Sequence, residues 1–209
     1  MIKDYADLDV LKEVNHKIST INKTRENRIN MSMRLKGYSD KWSLAFFFLN
    51  IEAVIFVTLS LAGKDICKAF NNETFGVISG IFSLYVILLQ YYINDLNYKE
   101  RSLKAHYHQL ELEDLILNLK TIIMIHNKDK KINGKGSNEE VQIEKYNIIM
   151  NKYQTILKNN ENHDSIDNDR RESKPRNIHD FTVDNIILKI NMFFIIPGAL
   201  IMILRFILL

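Results

Sequence analysis

The sequence predicts an all-α membrane protein: a transmembrane helical hairpin extended by long cytoplasmic helices, with a C-terminal hydrophobic helix as a third span. Three observations predict it. The strongly apolar residues are segregated into three blocks, 43–62, 75–93 and 186–209, although the overall hydrophobic share of 46% is ordinary. Lys and Arg collect on the same side of the first two blocks. Outside the blocks, apolar residues recur at helical spacing among Lys, Asn, Glu and Asp.

The first element, residues 1–41, is predicted as a cytoplasmic amphipathic helix, with Leu8, Leu11, Val14, Ile18 and Ile21 in steps of three and four. Its polar, charged character gives no cleavable signal peptide. Residues 42–93 form the predicted hairpin. The run 43–62 contains 20 residues with one ionisable group, Glu52, and 75–93 contains 19 without Asp, Glu, Lys or Arg. Each reaches across a hydrocarbon core of roughly 30 Å at about 1.5 Å per residue. The alternative, two buried helices of a large soluble core, lacks enough other apolar sequence to cover them.

Arg25, Arg28, Arg34, Lys36 and Lys41 precede the first run, and Lys99, Arg101 and Lys104 follow the second. The connection 63–74 carries only Lys64 and Lys68. Cations stay on the cytoplasmic face, which places the N-terminus and residues 94–180 there, in a bacterial inner membrane. Within 94–180, Leu96, Leu103, Leu110 and Leu117 recur every seven residues and predict that the second span continues as a long helix with a packing seam. That seam serves either an intrachain helix pair or a contact between chains. A loop at 127–138 then precedes a helix at about 139–158, whose apolar face holds Val141, Ile143, Tyr146, Ile149, Tyr153, Ile156 and Leu157. Residues 159–180 read as a polar loop. In the last element, 181–209, Lys189 and Arg205 bracket 15 uncharged residues with Pro197 and Gly198 inside, so an interfacial or re-entrant helix is the rival to a third span.

Composition excludes several functions. The single cysteine, Cys67, leaves no intrachain disulfide or thiolate cluster, and a net charge of +3 is too dispersed for nucleic-acid binding. With seven glycines there is no phosphate-cradling loop, no nucleophile elbow and no H-E-x-x-H. His106 and His108 are two apart on a predicted helix and point apart, a poor metal pair. No enzyme activity and no cofactor are therefore expected. The one compact polar cluster, "ENHDSID", offers Glu161, His163 and Asp167. It suits either a metal or proton shuttle, or a helix cap that ties a loop down.

Two membrane features are sharper. Gly76, Gly80, Ser83, Ile87 and Gln90 step along the second span as a small and polar stripe that permits close helix packing, within the hairpin or between subunits. Glu52 lies roughly 15 Å from either end of its run, where a carboxylate costs about 2.5–3.5 kcal/mol. It either hydrogen-bonds inside one bundle or lines an aqueous path. Asn50, two residues away, projects to a different side.

Taken together, "RINMSMRLKGYSDKWS" (28–43), "YYINDLNYKERSLKAHYHQLELEDL" (91–115) and "YQTILKNNENHDSID" (153–167) resemble the SLATT domain, a two-helix membrane effector module of bacterial conflict systems. The parts that carry the resemblance are the arginine-led entry to the first span, with Arg28 and Arg34, and the structural signature Glu161, Asn162, His163 and Asp167. The extra C-terminal block is similar to the branch found beside reverse transcriptases. The resemblance implies a homo-oligomer in lipid that permeabilises the inner membrane during phage infection, killing or arresting the host. Its signal would come from a neighbouring sensor enzyme, a cyclic-oligonucleotide synthase or a reverse transcriptase. In that role Asn50, Glu52 and Gln90 serve the polar path, and Gly76, Gly80 and Ser83 the helix packing. The rival is a membrane-anchored adaptor, without a pore, that recruits a defence enzyme.

Overall fold

The computed structural model describes residues 9–66, 73–134, 136, 138–172, 180–193 and 195. Five helices follow one another: α1 Val10–Ile66, α2 Glu73–Asp95, α3 Tyr98–Asn133, α4 Glu139–Lys158 and α5 Ser165–Glu172. Residues 183–193 form a further helix, α6, and no strand occurs among the described residues. Leu8, the connection at 67–72 and most of the predicted third span, 194 and 196–209, lie outside the described residues.

The helix ends have local causes. Asp9 starts α1 by accepting the Leu11 N–H at 3.0 Å. Once started, α1 runs unbroken for 57 residues, so the predicted amphipathic helix and the first span are one element. Asn138 caps α4 by accepting the Glu140 N–H at 3.1 Å, with Glu139 and Glu140 in the first turn and Lys158 in the last, as the helix dipole favours. The predicted unbroken passage from the second span into the next helix is corrected by the structure. Asn97 stands at φ +49°, a left-handed conformation that Asn tolerates better than most side chains, and it separates α2 from α3.

Two predicted loops also need correction. The segment 127–138 is helical as far as Asn133, because Lys128, Lys130 and Lys131 are good helix formers at a C-terminus. Gly134 at φ +66° then ends the helix. The polar segment 159–180 contains α5, a short helix that buries only Ile166 and Asp167. Two inward residues leave no apolar period to read in the sequence.

The chain packs as two compact units. The first comprises the chain up to Arg34 together with the stretch from Arg101 through α5. Val14 and Ile21 of α1, Leu112, Leu115, Ile116, Leu119 and Ile122 of α3, and Tyr153 and Ile156 of α4 make its core. Of the predicted α1 stripe, Val14 and Ile21 lie in this core and Ile18 packs against it. On α4, Tyr146, Ile149 and Leu157 pack against the core, but Val141 and Ile143 are exposed.

The second unit comprises Leu35–Glu100 and α6. Along α1 the buried residues Tyr38, Trp42, Ala45, Leu49 and Glu52 step by four and three, and α2 buries Ser79, Val86 and Ile93. Phe56 of α1 meets Phe75 and Phe82 of α2 edge-on, with ring centroids 6.0 and 5.2 Å apart. Tyr38 hydrogen-bonds Asp180 and Thr182, and Tyr85 donates to Asn191 of α6 at 2.6 Å.

Candidate functional site

Two helical stretches, Val10–Ala62 and Glu73–Ile132, contain segments long and apolar enough to cross a membrane. Only 28% and 17% of those segments are buried within the chain. A core helix of a soluble protein would be covered on all sides, whereas here Phe47, Val54, Leu61, Ile81, Leu84 and Leu88 face outward. Lipid is the solvent that suits such a surface.

The polar residues of the hairpin divide between two faces. Glu52 is 6% exposed and lies on the buried α1 stripe with Leu49. Asn50 and Gln90 come together elsewhere, in the wall of a cleft of about 510 Å³ with Ser39, Ser43, Phe46, Asn94 and Asn97. From Ser39 to Asn50 this cleft follows α1 for roughly 16 Å at 1.5 Å per residue. Gly76 and Gly80 do not pack inside the hairpin, since a Cβ on either would meet nothing within 4 Å. Ser83 donates to the Ser79 carbonyl at 2.9 Å, a bond within α2 itself. Gly76 and Gly80 therefore face away from α1, whereas Gln90, farther along the same stripe, shares the cleft with it.

In the first unit the seam leucines are likewise outward: Leu103, Leu110 and Leu117 are 52%, 44% and 52% exposed. The intrachain helix pair is made by another face of α3, through Ala105, His108, Leu112, Leu115 and Leu119. Leu96, before α3, belongs to the second unit and is half-buried.

The E-N-H cluster forms a polar tie between α1 and α5. Arg34 grips Asp167 with two hydrogen bonds, Nε to Oδ1 and Nη2 to Oδ2, each 2.9 Å, and also reaches Asp164. Both partners are buried, with Arg34 at 2% and Asp167 at 0% side-chain exposure. Asn30 donates to the Asp167 carbonyl at 3.0 Å, Asn27 to His163 Nε2 at 2.9 Å, and Arg171 to Asn27 at 3.0 Å. Burial, then the nearby Arg28, lowers the His163 pKa, which suits its acceptor role. Glu161 pairs with Arg101 at 3.1 Å, and Asn162 is exposed. The geometry these residues make is that of a tie that holds the loop and α5 against α1.

Two residues that the sequence showed only as a flanking cation and as half of a poor metal pair sit beside this tie. Arg28 is 2% exposed, and its Nε has no hydrogen-bond partner among the described residues. His108 is 1% exposed, and neither ring nitrogen has one. Burial, then Arg28, lowers the His108 pKa to about 4. The neutral ring is favoured in the folded chain, so its contribution to stability is present above the unfolded value of about 6.5 and is lost as pH falls toward 4. Thermal unfolding of the wild type should thus weaken by about 3 kcal/mol more than that of His108→Leu between pH 7 and pH 4. Parallel pH profiles would contradict this.

The fold defines a helical membrane protein with a two-span hairpin and an all-helical unit whose α1 and α5 are tied by the buried Arg34–Asp167 pair. More narrowly, residues 10–209 match the model of SLATT family 5, the SMODS and SLOG-associating 2TM effector domain family, and the chain belongs to that family. Its role is thereby that of a membrane effector associated with conflict and defence systems. No curated protein matches the chain, and no solved structure does.

Proposed function

We propose that the chain is the effector of a bacterial antiphage system, and that it oligomerises and permeabilises the inner membrane when a partner sensor signals. The observation that carries this reading is the polar cleft of the second unit. It extends from Ser39 to Asn50 on α1 and includes Gln90 on α2, so amide and hydroxyl groups enter the first apolar run. Irregular polarity at membrane depth is tolerated where it lines a water-filled cavity. Several protomers, each presenting Asn50 and Gln90, would enclose such a path, while Glu52 holds the hairpin behind it. The outward Gly76–Gly80 face supplies close contacts between spans, and Leu103, Leu110 and Leu117 supply a seam between α3 helices.

The cation distribution supports an N-terminus and a region 94–180 in the cytoplasm, where the sensor, a cyclic-oligonucleotide synthase or a reverse transcriptase, would act. Its signal shifts a closed oligomer to an open one only by binding the open form more tightly. A second reading, a pore-free adaptor, draws on an apolar groove of about 340 Å³ between α3 and α4, lined by Leu115, Ile122, Ile125, Ile148 and Ile149.

Membrane potential and propidium uptake in bacteria expressing the chain with its neighbouring sensor separate the two. Wild type should depolarise the cells. Asn50→Leu combined with Gln90→Leu, at matched membrane abundance, should abolish depolarisation. Unchanged depolarisation in that variant would remove the cleft from the path. A defence phenotype without depolarisation in the wild type would favour the adaptor.

A further inference from the structure

Beside the α1–α5 tie, the first unit contains a second cavity, of about 200 Å³, lined by Arg28, Arg101, Lys104, Ala105, His108, Asn159, Asn160 and Glu161. At roughly 30 Å³ per water it has room for six or seven waters. A phosphate group with part of the molecule attached to it fits that space.

The wall is built for an anion. It presents three cations, Arg28, Arg101 and Lys104, against one carboxylate, Glu161, which Arg101 already engages at 3.1 Å. Asp167 also lies within electrostatic reach of Arg28, but Arg34 holds both of its oxygens. Arg28 is the residue that needs explaining. Its guanidinium is almost fully buried, its Nη1 donates to the Met31 sulfur at 3.5 Å, and its Nε is unmatched among the described residues. Glu161 and Asp167 act on its charge, but each is already engaged by another arginine, and a buried cation whose own N–H is unmatched is costly. His108 adds two unmatched ring nitrogens on the same wall. At the rim, the carbonyls of the last α4 turn are met by the Asn159 N–H and the Asn160 side chain, which leaves less negative potential facing the cavity.

We propose that this cavity binds a phosphate group, carried either by a soluble phosphorylated ligand or by a lipid headgroup. A phosphate oxygen accepts from Arg28 Nε and from His108, and the rim cations Arg101 and Lys104 close over its charge. The site stands on α1 and α3, independent of whether the chain makes a pore.

The full chain, purified in a phosphate-free maltoside detergent, allows the test. Its thermal unfolding midpoint is followed while inorganic phosphate replaces chloride at constant ionic strength, and separately while phosphatidylglycerol is added to the micelles. A ligand that binds only the folded chain raises the midpoint with dose. Arg28→Gln risks misfolding, so the variants are Lys104→Gln and Arg101→Gln. Both residues lie near the surface, and their removal should leave the fold intact. The proposal expects a saturable rise in the wild type, and an apparent Kd at least tenfold weaker in either variant. A variant-sensitive response to inorganic phosphate assigns the group to a soluble ligand, and one to phosphatidylglycerol alone assigns it to a headgroup. No rise with either probe overturns the proposal. A rise that is equal in wild type and both variants reports general salting-out or lipid solvation, and overturns it as well.

Discussion

Asp167→Asn is expected to destabilise the first unit by about 3 kcal/mol, because it removes the one fully buried carboxylate from a buried arginine and leaves it Asp164, which is half exposed. Asp167 is fully buried and takes both forks of Arg34, while its Oδ2 also accepts the Asp164 N–H at 3.2 Å. Asparagine keeps the size but replaces one acceptor oxygen with a donor that faces a cation. The same pair exchanged as a whole behaves differently. Arg34→Met with Asp167→Leu removes both charges and should be less damaging than Asp167→Asn alone. Chemical denaturation in detergent, followed by helical signal, measures both. A loss below about 0.5 kcal/mol for Asp167→Asn would mean that α5 is held by something other than the tie.

Leu110→Lys with Leu117→Lys should dismantle the proposed oligomer without unfolding the chain. The two side chains are about half exposed, so charging them costs the monomer little. In a seam between α3 helices each leucine, already half buried, is covered on association and contributes roughly 1–1.5 kcal/mol per protomer. Two lysines reverse that contribution and add like-charge repulsion, and each 1.4 kcal/mol is a factor of ten. The association constant should therefore fall by at least two decades. Native mass spectrometry from detergent compares the stoichiometries, with circular dichroism as the check on folding. An unchanged oligomer would remove the Leu103–Leu117 face from the subunit contact.

How much of this was legible follows from where each signal lay. The hairpin was plain, because a run of 20 residues with one charge has few other readings at this chain length. The α1 stripe was plain too, since Val14, Ile18 and Ile21 face the core with helical period. On α3 two stripes competed. Leucines every seven residues form the stronger pattern, yet the face that packs inside the chain is Ala105, His108, Leu112, Leu115, Leu119 and Ile122. One position on that face is a histidine, which breaks an apolar stripe to the eye. Followed step by step, the same period would have placed His108 in the core.

The polar tie shows the opposite limit. Arg34 and Asp167 are 133 residues apart, and no local spacing announces that they meet. The cluster Glu161, His163 and Asp167 was visible as a cluster, but its partners, Asn27, Asn30 and Arg34, lie on a face of α1 whose charges look like a solvated stretch. The break at Asn97 was hidden for a simpler reason. Asparagine is common in this chain, and nothing in its neighbours marks the one that turns left-handed.

The most direct test of the account is ionic conductance of the purified chain in liposomes of inner-membrane lipid composition. Wild type, incubated with its sensor's product or partner, should pass ions. Asn50→Leu combined with Gln90→Leu, inserted to the same density, should not. A wild type that stays sealed under the conditions that trigger defence in cells would contradict the membrane-permeabilising role.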